Sequence, residues 1–174
     1  MKILGIDPGI GICGFGLIEG TKLLDCGVIT TPVRTPVPGR LAELYDGLME
    51  IFETAKPDVV SVEKLFFTKN ITTGISVAEA RGIVLLVAAK KQVPVFEYTP
   101  NEIKKTLTGY GSAKKGQVQE MVKLHLGLDA RPKPDDAADA IAAAITHSLM
   151  QKFWKNVTQN RWLAKIFMLI LKKS

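Results

Sequence analysis

The seven residues from Ile3 to Gly9 constrain the fold of this chain more than any other stretch. They read Ile-Leu-Gly-Ile-Asp-Pro-Gly, and their apolar residues do not alternate with polar ones. That pattern is typical of a strand buried on both faces. Pro8 and Gly9 turn the chain, which leaves Asp7 at the carboxyl end of the strand. A carboxylate there is costly to bury unless a cation meets it; alternatively, Asp7 only forms the turn.

The remaining pattern predicts an α/β fold in which helices flank a mixed central sheet. Two more strands follow the first, joined by a short turn at Gly20, and glycines 14 and 16 indicate a bulge or a close backbone approach. Three prolines between residues 31 and 38 argue against a helix there. Further strands are predicted over 58–63 and 93–97, and helices over 39–56, 73–91, 100–107, from about 117 to 126, and from 135 to about 150. The order of the strands is not determined by the sequence.

The composition is that of one soluble domain. With 174 residues the chain is long enough to bury a full core. Cys13 and Cys26 match no metal-ligand spacing, so we expect free thiols in a reducing compartment. We find no signal peptide and no apolar run near the ~20 residues of a membrane span, which predicts a cytoplasmic protein.

The net charge of +6 is unevenly distributed. Residues 151–174 contain six basic residues and no acid, which leaves 17 basic and 17 acidic residues in 1–150. If metal ions neutralise several of those acids, the remaining surface is effectively basic, which points weakly to nucleic acid.

Three further acids belong with Asp7. Glu63 ends the β-branched strand 58–63, while Asp136 and Asp139 are three apart at the start of a helix and therefore share one face. Asp135 is the expected N-cap. Asp136 could simply interact with the helix dipole, whereas Asp139 lies among alanines that offer no ion pair.

Four converging carboxylates repel one another strongly unless divalent cations lie between them. Ligand sets made only of oxygen favour Mg²⁺, with Mn²⁺ as a substitute, over zinc. Two such ions, about 3.5–4 Å apart, are the usual arrangement for in-line displacement at phosphorus. The four acids therefore suggest a nuclease-type site.

Several motifs together resemble the RuvC family of crossover junction endodeoxyribonucleases. They are Gly-Ile-Asp-Pro-Gly at 5–9, Val-Glu-Lys-Leu-Phe at 62–66, Lys-Asn at 69–70 and Asp-Ala-Ala-Asp-Ala at 136–140. The resemblance covers about residues 1–150. It implies a ribonuclease H-like fold, a homodimer, and symmetric Mg²⁺-dependent nicking of four-way (Holliday) DNA junctions in recombination and repair. A branch-migration helicase complex is the implied partner.

The resemblance also implies roles for single residues. It makes Asp7, Glu63, Asp136 and Asp139 the catalytic metal ligands. Among the DNA-binding residues it implies, Phe66 probes the junction centre, Lys69 lies in the same basic loop, and Lys104 and Lys115 face the DNA. The small residues of helix 73–91 suit a dimer contact, and we interpret His125 and His147 as structural.

Other functions stay open at this point. A strand ending in Asp-Xaa-Gly also opens sugar kinases and actin-like ATPases, which need a longer chain and a second phosphate loop. A ribonuclease H-like enzyme acting on RNA would share the fold, and a junction-binding protein without activity is a third alternative.

Residues 151–174 have no counterpart in the resemblance. Arg161, Lys165 and Lys172 fall on one side of a helix over 161–173, and apolar residues cover the rest. We therefore expect a basic amphipathic tail after a nuclease domain of residues 1–150. It would pack on the body, on a dimer mate, on a partner protein or on an anionic membrane surface.

Overall fold

The computed structural model describes residues 1–64 and 71–159, without the side chains of 71–73 and 156–159. Phe66 and Lys69 lie outside these ranges, as does the whole of the tail helix expected over 161–173. The described residues form five strands and five helices: β1 (Lys2–Asp7), β2 (Ile12–Glu19), β3 (Lys22–Thr30), α1 (Val37–Ala55), β4 (Val59–Glu63), α2 (Ile71–Lys90), β5 (Val95–Tyr98), α3 (Pro100–Thr108), α4 (Lys115–Leu126) and α5 (Asp135–Gln159).

The strands form one mixed sheet in the order β3-β2-β1-β4-β5. The strand β1 pairs antiparallel with β2 and parallel with β4, and β5 extends the parallel half. The α/β prediction is confirmed. Because β1 and β4 run side by side in the same direction, their carboxyl ends lie at the same edge of the sheet.

Alternate residues of the central strands face two different helical layers. Leu4, Ile6, Val60 and Val62 belong to a core cluster with α1 and α2. Ile3 and Val59 belong to the cluster formed with α3, α4 and α5. The residues that continue this second series, two apart along each strand, therefore face α5.

The helix α5 packs unusually close to the sheet because glycines lie beneath it. A Cβ atom added to Gly5 would fall 1.9 Å from the carbonyl oxygen of Ala140, and one added to Gly14 would fall 2.1 Å from that of Asp136. The buried Ser61 hydroxyl donates to the carbonyl oxygen of Ala143 at 2.7 Å. The expected close approach at Gly14 is confirmed, while the irregularity in the ladder lies between Leu17 and Ile18.

Several helix boundaries differ from the prediction, most of them by one or two residues, and those of α1 and α5 have a clear physical reason. The helix α1 begins at Val37, with Pro36 just before it and a proline in its first turn. Proline is tolerated there because the first-turn N–H groups have no partner within the helix. The helix α5 does not end near Met150 but continues to Gln159, and no glycine or proline between the two residues would stop it.

Both cysteines are free, Cys13 buried and Cys26 partly buried. Among the described helices, none has both the length and the apolar character needed to cross a membrane.

Candidate active site

Two strand ends supply the first two carboxylates of the site. Asp7 continues the series Ile3, Gly5 on β1, and Glu63 continues the series Val59, Ser61 on β4, so both face α5. Ile6 pairs with Val62 in the parallel ladder, which places the next residues of both strands side by side. The sequence prediction that these two strand ends lie together is confirmed.

The start of α5 supplies Asp136 and Asp139. Asp7 is paired with Gly14 in the antiparallel ladder, and the backbone of Asp136 lies directly over that glycine. A side chain at position 14 would push the helix away from the strand. Gly14 is therefore the residue that allows α5 to bring its carboxylates to the end of β1.

The electrostatic result of this convergence is an unusually high pKa for Asp7. Burial, followed by the negative charges of Glu63, Asp139 and Asp136, raises the pKa of Asp7 from 3.8 to about 7. The pKa of Glu63 is also raised, first by burial and then by Asp139, although Lys104 and Lys115 oppose the shift. In the protein alone, the site thus has less positive charge than would balance its four carboxylates.

Lys115 supplies part of that positive charge. Its Nζ atom lies 2.9 Å from Oδ2 of Asp139 and 3.3 Å from Oδ2 of Asp135. The hydrogen bond to Asp139 is the largest cause of a raised pKa for Lys115. The expectation that Asp139 has no ion pair was wrong, because α4 delivers a lysine that adjacent residues in the sequence do not reveal.

Asp135 does not act as the N-cap that the sequence predicted. It is the first residue of α5, and the carbonyl oxygen of Pro134 accepts the first bonds, from the N–H groups of Ala137 and Ala138. The Asp135 side chain points instead to α4, where its Oδ1 atom accepts a hydrogen bond of 3.0 Å from Nε2 of Gln119.

Lys104 and Lys115 both border the acidic residues. They line a cavity of about 240 Å³ together with Glu63 and Asp139; its other lining residues are Pro100, Ile103, Val118 and Ala142. The helix α3, which carries Lys104, begins with a capping box in which Thr99 and Glu102 bond each other's backbone N–H groups. The two lysines are thus held on well-anchored helices beside the carboxylates.

The donor set fits a hard divalent cation. It consists of carboxylate oxygens, and burial, followed by the charges of the neighbouring acids, raises the pKa of Asp7. In this conformation, residues 1–64 and 71–159 contain no group of three His, Cys, Asp or Glu side chains ready to hold a metal. Lys115 instead places its ammonium group against Asp139, in the role of a counter-cation.

The surroundings of His147 agree with the structural role expected of it, and the role of His125 stays a prediction. His147 is buried, shares a 2.8 Å hydrogen bond with the Tyr98 hydroxyl and packs against Phe96.

The residue whose role the sequence analysis missed is Gln119. Its spacing of four residues from Lys115 on one helix was the available signal, but its link to Asp135 depends on the packing of α4 against α5.

Comparison with known proteins gives one consistent result. The family model described as "Crossover junction endodeoxyribonuclease RuvC" matches residues 3–147. RuvC of Brevibacillus brevis is 51% identical over 157 residues, which cover 88% of this chain and 95% of that protein. RuvC of Thermotoga petrophila is 49% identical over 156 residues, covering 87% of this chain and 94% of that one.

Solved structures give the same result. The structure described as "T. thermophilus RuvC in complex with Holliday junction substrate" superposes with a TM-score of 0.83 at 35% identity, covering 88% of this chain and 96% of that one. The yeast mitochondrial Holliday junction resolvase superposes with a TM-score of 0.65 at 15% identity, covering 94% of this chain and 85% of that one, and supports the fold alone.

Proposed function

The chain belongs to the RuvC family of crossover junction endodeoxyribonucleases, and we infer from this membership that it resolves four-way (Holliday) DNA junctions. Its fold is the ribonuclease H-like fold of that family. The observation that carries the proposal is the convergence of four carboxylates at the edge where β1 and β4 end; there burial, and then the charges of Glu63, Asp139 and Asp136, raise the pKa of Asp7 to about 7.

We propose that Asp7, Glu63, Asp136 and Asp139 are the catalytic residues and hold two Mg²⁺ ions, for which Mn²⁺ can substitute. Bound there, the ions would supply an activated water for attack on the scissile phosphate and stabilise the charge that develops on the leaving 3′ oxygen. The strands β1 and β4 and the helix α5 fix the positions of the four carboxylates, and the carboxylates would in turn fix the positions of the ions. The all-oxygen donor set and the shortage of positive charge support this assignment.

In this proposal the basic residues contact phosphates of the DNA backbone. Lys104 and Lys115 line the cavity that also contains Glu63 and Asp139, so their ammonium groups can contact phosphates next to the scissile bond. Phe66 would stack on an exposed base at the junction centre, and Lys69 would contact a neighbouring phosphate. These two assignments rest on the family resemblance.

We propose that the active species is a two-fold homodimer, since one site cuts one strand and symmetric resolution needs two. The helix α2 exposes an unusual stripe: Ile75 and Leu86 are 53% and 47% exposed, and a Cβ atom added to Gly82 between them would meet nothing within 4 Å. Such a face, apolar and small in its middle, suits close contact with its own copy.

The dimer is tested by sedimentation of the protein with Leu86→Lys as the comparison. The wild type should sediment as a dimer at micromolar concentration, and Leu86→Lys should shift it to monomer, because a charge would enter the proposed apolar contact. A wild type that stays monomeric with and without junction DNA would contradict the dimer.

We also propose that the protein works in the cytoplasm with a branch-migration helicase complex, and that residues 1–150 carry the chemistry while 151–174 form an accessory basic tail. The helix α5 crosses this boundary without a break. Met150 and Phe153 line a groove with Tyr98, so α5 still borders the body just after residue 150, although Phe153 is 52% exposed.

The activity is tested with a labelled, mobile four-way junction incubated with Mg²⁺ or with EDTA. We expect paired nicks at symmetric positions in Mg²⁺ and none in EDTA. Linear duplex DNA and duplex RNA of matched sequence are the controls. Equal cleavage of linear DNA or of RNA would favour a general nuclease, and binding without cleavage in Mg²⁺ would indicate an inactive junction-binding protein.

A further inference from the structure

A fifth carboxylate, Asp135, lies beside the four proposed ligands. Lys115 bridges it to the site: the Nζ atom lies 3.3 Å from Oδ2 of Asp135 and 2.9 Å from Oδ2 of Asp139. Both carboxylates are therefore within reach of one ammonium group. Lys115 can strengthen its contact with either of them without leaving the site.

Asp135 is held in place from α4. Gln119, which is only 9% exposed, donates from Nε2 to Oδ1 of Asp135 at 3.0 Å. Gln119 and Lys115 are four residues apart on that helix and so present their side chains on the same face. One oxygen of Asp135 thus accepts from a buried amide, and the other is left for Lys115.

The same ammonium group competes with the proposed cations. A metal ion that binds Asp139 would compete with the Lys115 ammonium group, which lies 2.9 Å from Oδ2, for the negative charge of that carboxylate. If Lys115 had Asp139 as its sole partner, metal binding would have to expel the lysine into water. Asp135 offers it a second carboxylate that does not belong to the ligand set.

We propose that Asp135 is a positioning residue that receives Lys115 when Asp139 takes up a metal ion. Lys115 then stays at the rim of the cavity shared with Glu63 and Lys104, where a DNA phosphate can meet it. The proposal rests on the proposed function, because it assigns the ammonium group to the phosphate next to the scissile bond. Gln119 keeps Asp135 turned toward the lysine.

A simpler role for Asp135 is a favourable interaction of its charge with the amino end of α5. That role would change thermal stability, but it would not depend on Lys115. A general attraction between Asp135 and the metal would also persist without the lysine. The three possibilities therefore differ in what happens when Lys115 is absent.

The test is a double-mutant cycle on Mn²⁺ binding to the full-length, DNA-free protein, with free Mn²⁺ followed by electron paramagnetic resonance. Wild type, Asp135→Asn, Lys115→Ala and the double variant are compared, with Asp25→Asn on β3 as the matched control. Lys115→Ala should bind Mn²⁺ more tightly than wild type, because the competing cation is gone. Asp135→Asn should bind about two- to fivefold more weakly, the range expected for a half-exposed ion pair.

The decisive comparison is Asp135→Asn in the Lys115→Ala background, where we expect no change in Mn²⁺ affinity. Gln119→Met, which keeps the length of the side chain and loses its donor, should weaken binding in the same direction as Asp135→Asn but less. In single-turnover junction cleavage at saturating Mg²⁺, Lys115→Ala should be slower than wild type because its phosphate contact is lost, Asp135→Asn should be slowed less, and the double variant should equal Lys115→Ala.

Equal weakening in both backgrounds would overturn the inference in favour of simple charge attraction. Unchanged Mn²⁺ affinity in Asp135→Asn, with lowered thermal stability alone, would overturn it in favour of the helix-end role. Either result leaves the proposed function standing as long as the wild type cleaves the junction. A wild type that binds no Mn²⁺ and cuts no junction would refute the proposed function itself.

Discussion

The two ends of β1 carry similar numbers of charges and use them in opposite ways. At the amino end, the terminal ammonium lies 3.3 Å from Oε1 of Glu19. The Lys2 backbone N–H donates to Asp58 at 2.7 Å, and the Asp58 N–H donates to the Lys2 carbonyl at 3.0 Å. Each charge there has an opposite partner or a hydrogen bond and lies near solvent.

The carboxyl end concentrates charges of one sign in a partly buried place. Asp7 and Glu63 have raised pKa values there, chiefly because of burial; the charges of Glu63 and Asp139 add to the shift of Asp7, and that of Asp139 adds to the shift of Glu63. Lys115 offsets this only partly. The amino end thus stabilises the fold, whereas the carboxyl end costs stability in the absence of a divalent cation. A costly arrangement of this kind marks a functional site.

The largest effect should come from removing a charge at the carboxyl end. Asp139→Asn keeps the shape of the side chain but loses the charge that holds a cation. We expect single-turnover junction cleavage to fall about 10²–10⁴-fold, equivalent to about 3–5 kcal/mol of transition-state stabilisation. Junction binding should persist, because the DNA phosphates lose a repulsive neighbour.

Asp58→Asn at the amino end is the matched control for that variant. It makes the same chemical change at the opposite end of the sheet, and we expect cleavage at the wild-type rate with a change in stability of about 1 kcal/mol or less. Wild-type turnover by Asp139→Asn in Mg²⁺, or loss of cleavage in Asp58→Asn, would remove the distinction between the two ends.

The sequence predicted the parts of this comparison that depend on local pattern. Apolar runs that each end in an acid indicated that Asp7 and Glu63 close two strands, and a spacing of three put Asp136 and Asp139 on one helical face. Gly14 signalled the close approach that brings these pairs together. The roles of these four residues stay predictions that the cleavage assays test.

The sequence failed where a contact depends on how separate helices pack. It predicted that Asp135 caps α5 and that Asp139 has no ion pair. Both side chains in fact contact residues of α4, and the sequence does not reveal how α4 packs against α5. It placed the end of α5 at Met150, where the family resemblance stops. The end of the resemblance near residue 150 is not a signal for the end of a helix, and α5 continues to Gln159.

The most direct test of the account is the stability of metal-free Asp7→Asn relative to wild type as a function of pH. With a pKa of about 7 in the folded protein against an ordinary value of 3.8, Asp7 holds a proton in the folded state that the unfolded chain has already lost between these pH values. Its contribution to the free energy of unfolding therefore falls as the pH rises from about 4 to 7 and stays low above pH 7. Asparagine imitates the protonated acid and avoids this loss.

In EDTA at pH 8, Asp7→Asn should be more stable than wild type by about 1–2 kcal/mol, less than the full pKa shift implies because neighbouring acids and solvent relax. For a chain of this size the difference corresponds to about 2–8 °C in Tm. The difference should vanish near pH 4, and saturating Mg²⁺ at pH 8 should stabilise wild type far more than the variant. If metal-free Asp7→Asn is instead less stable than wild type at pH 8, the carboxyl end of β1 is not held at an electrostatic cost, and the account is wrong.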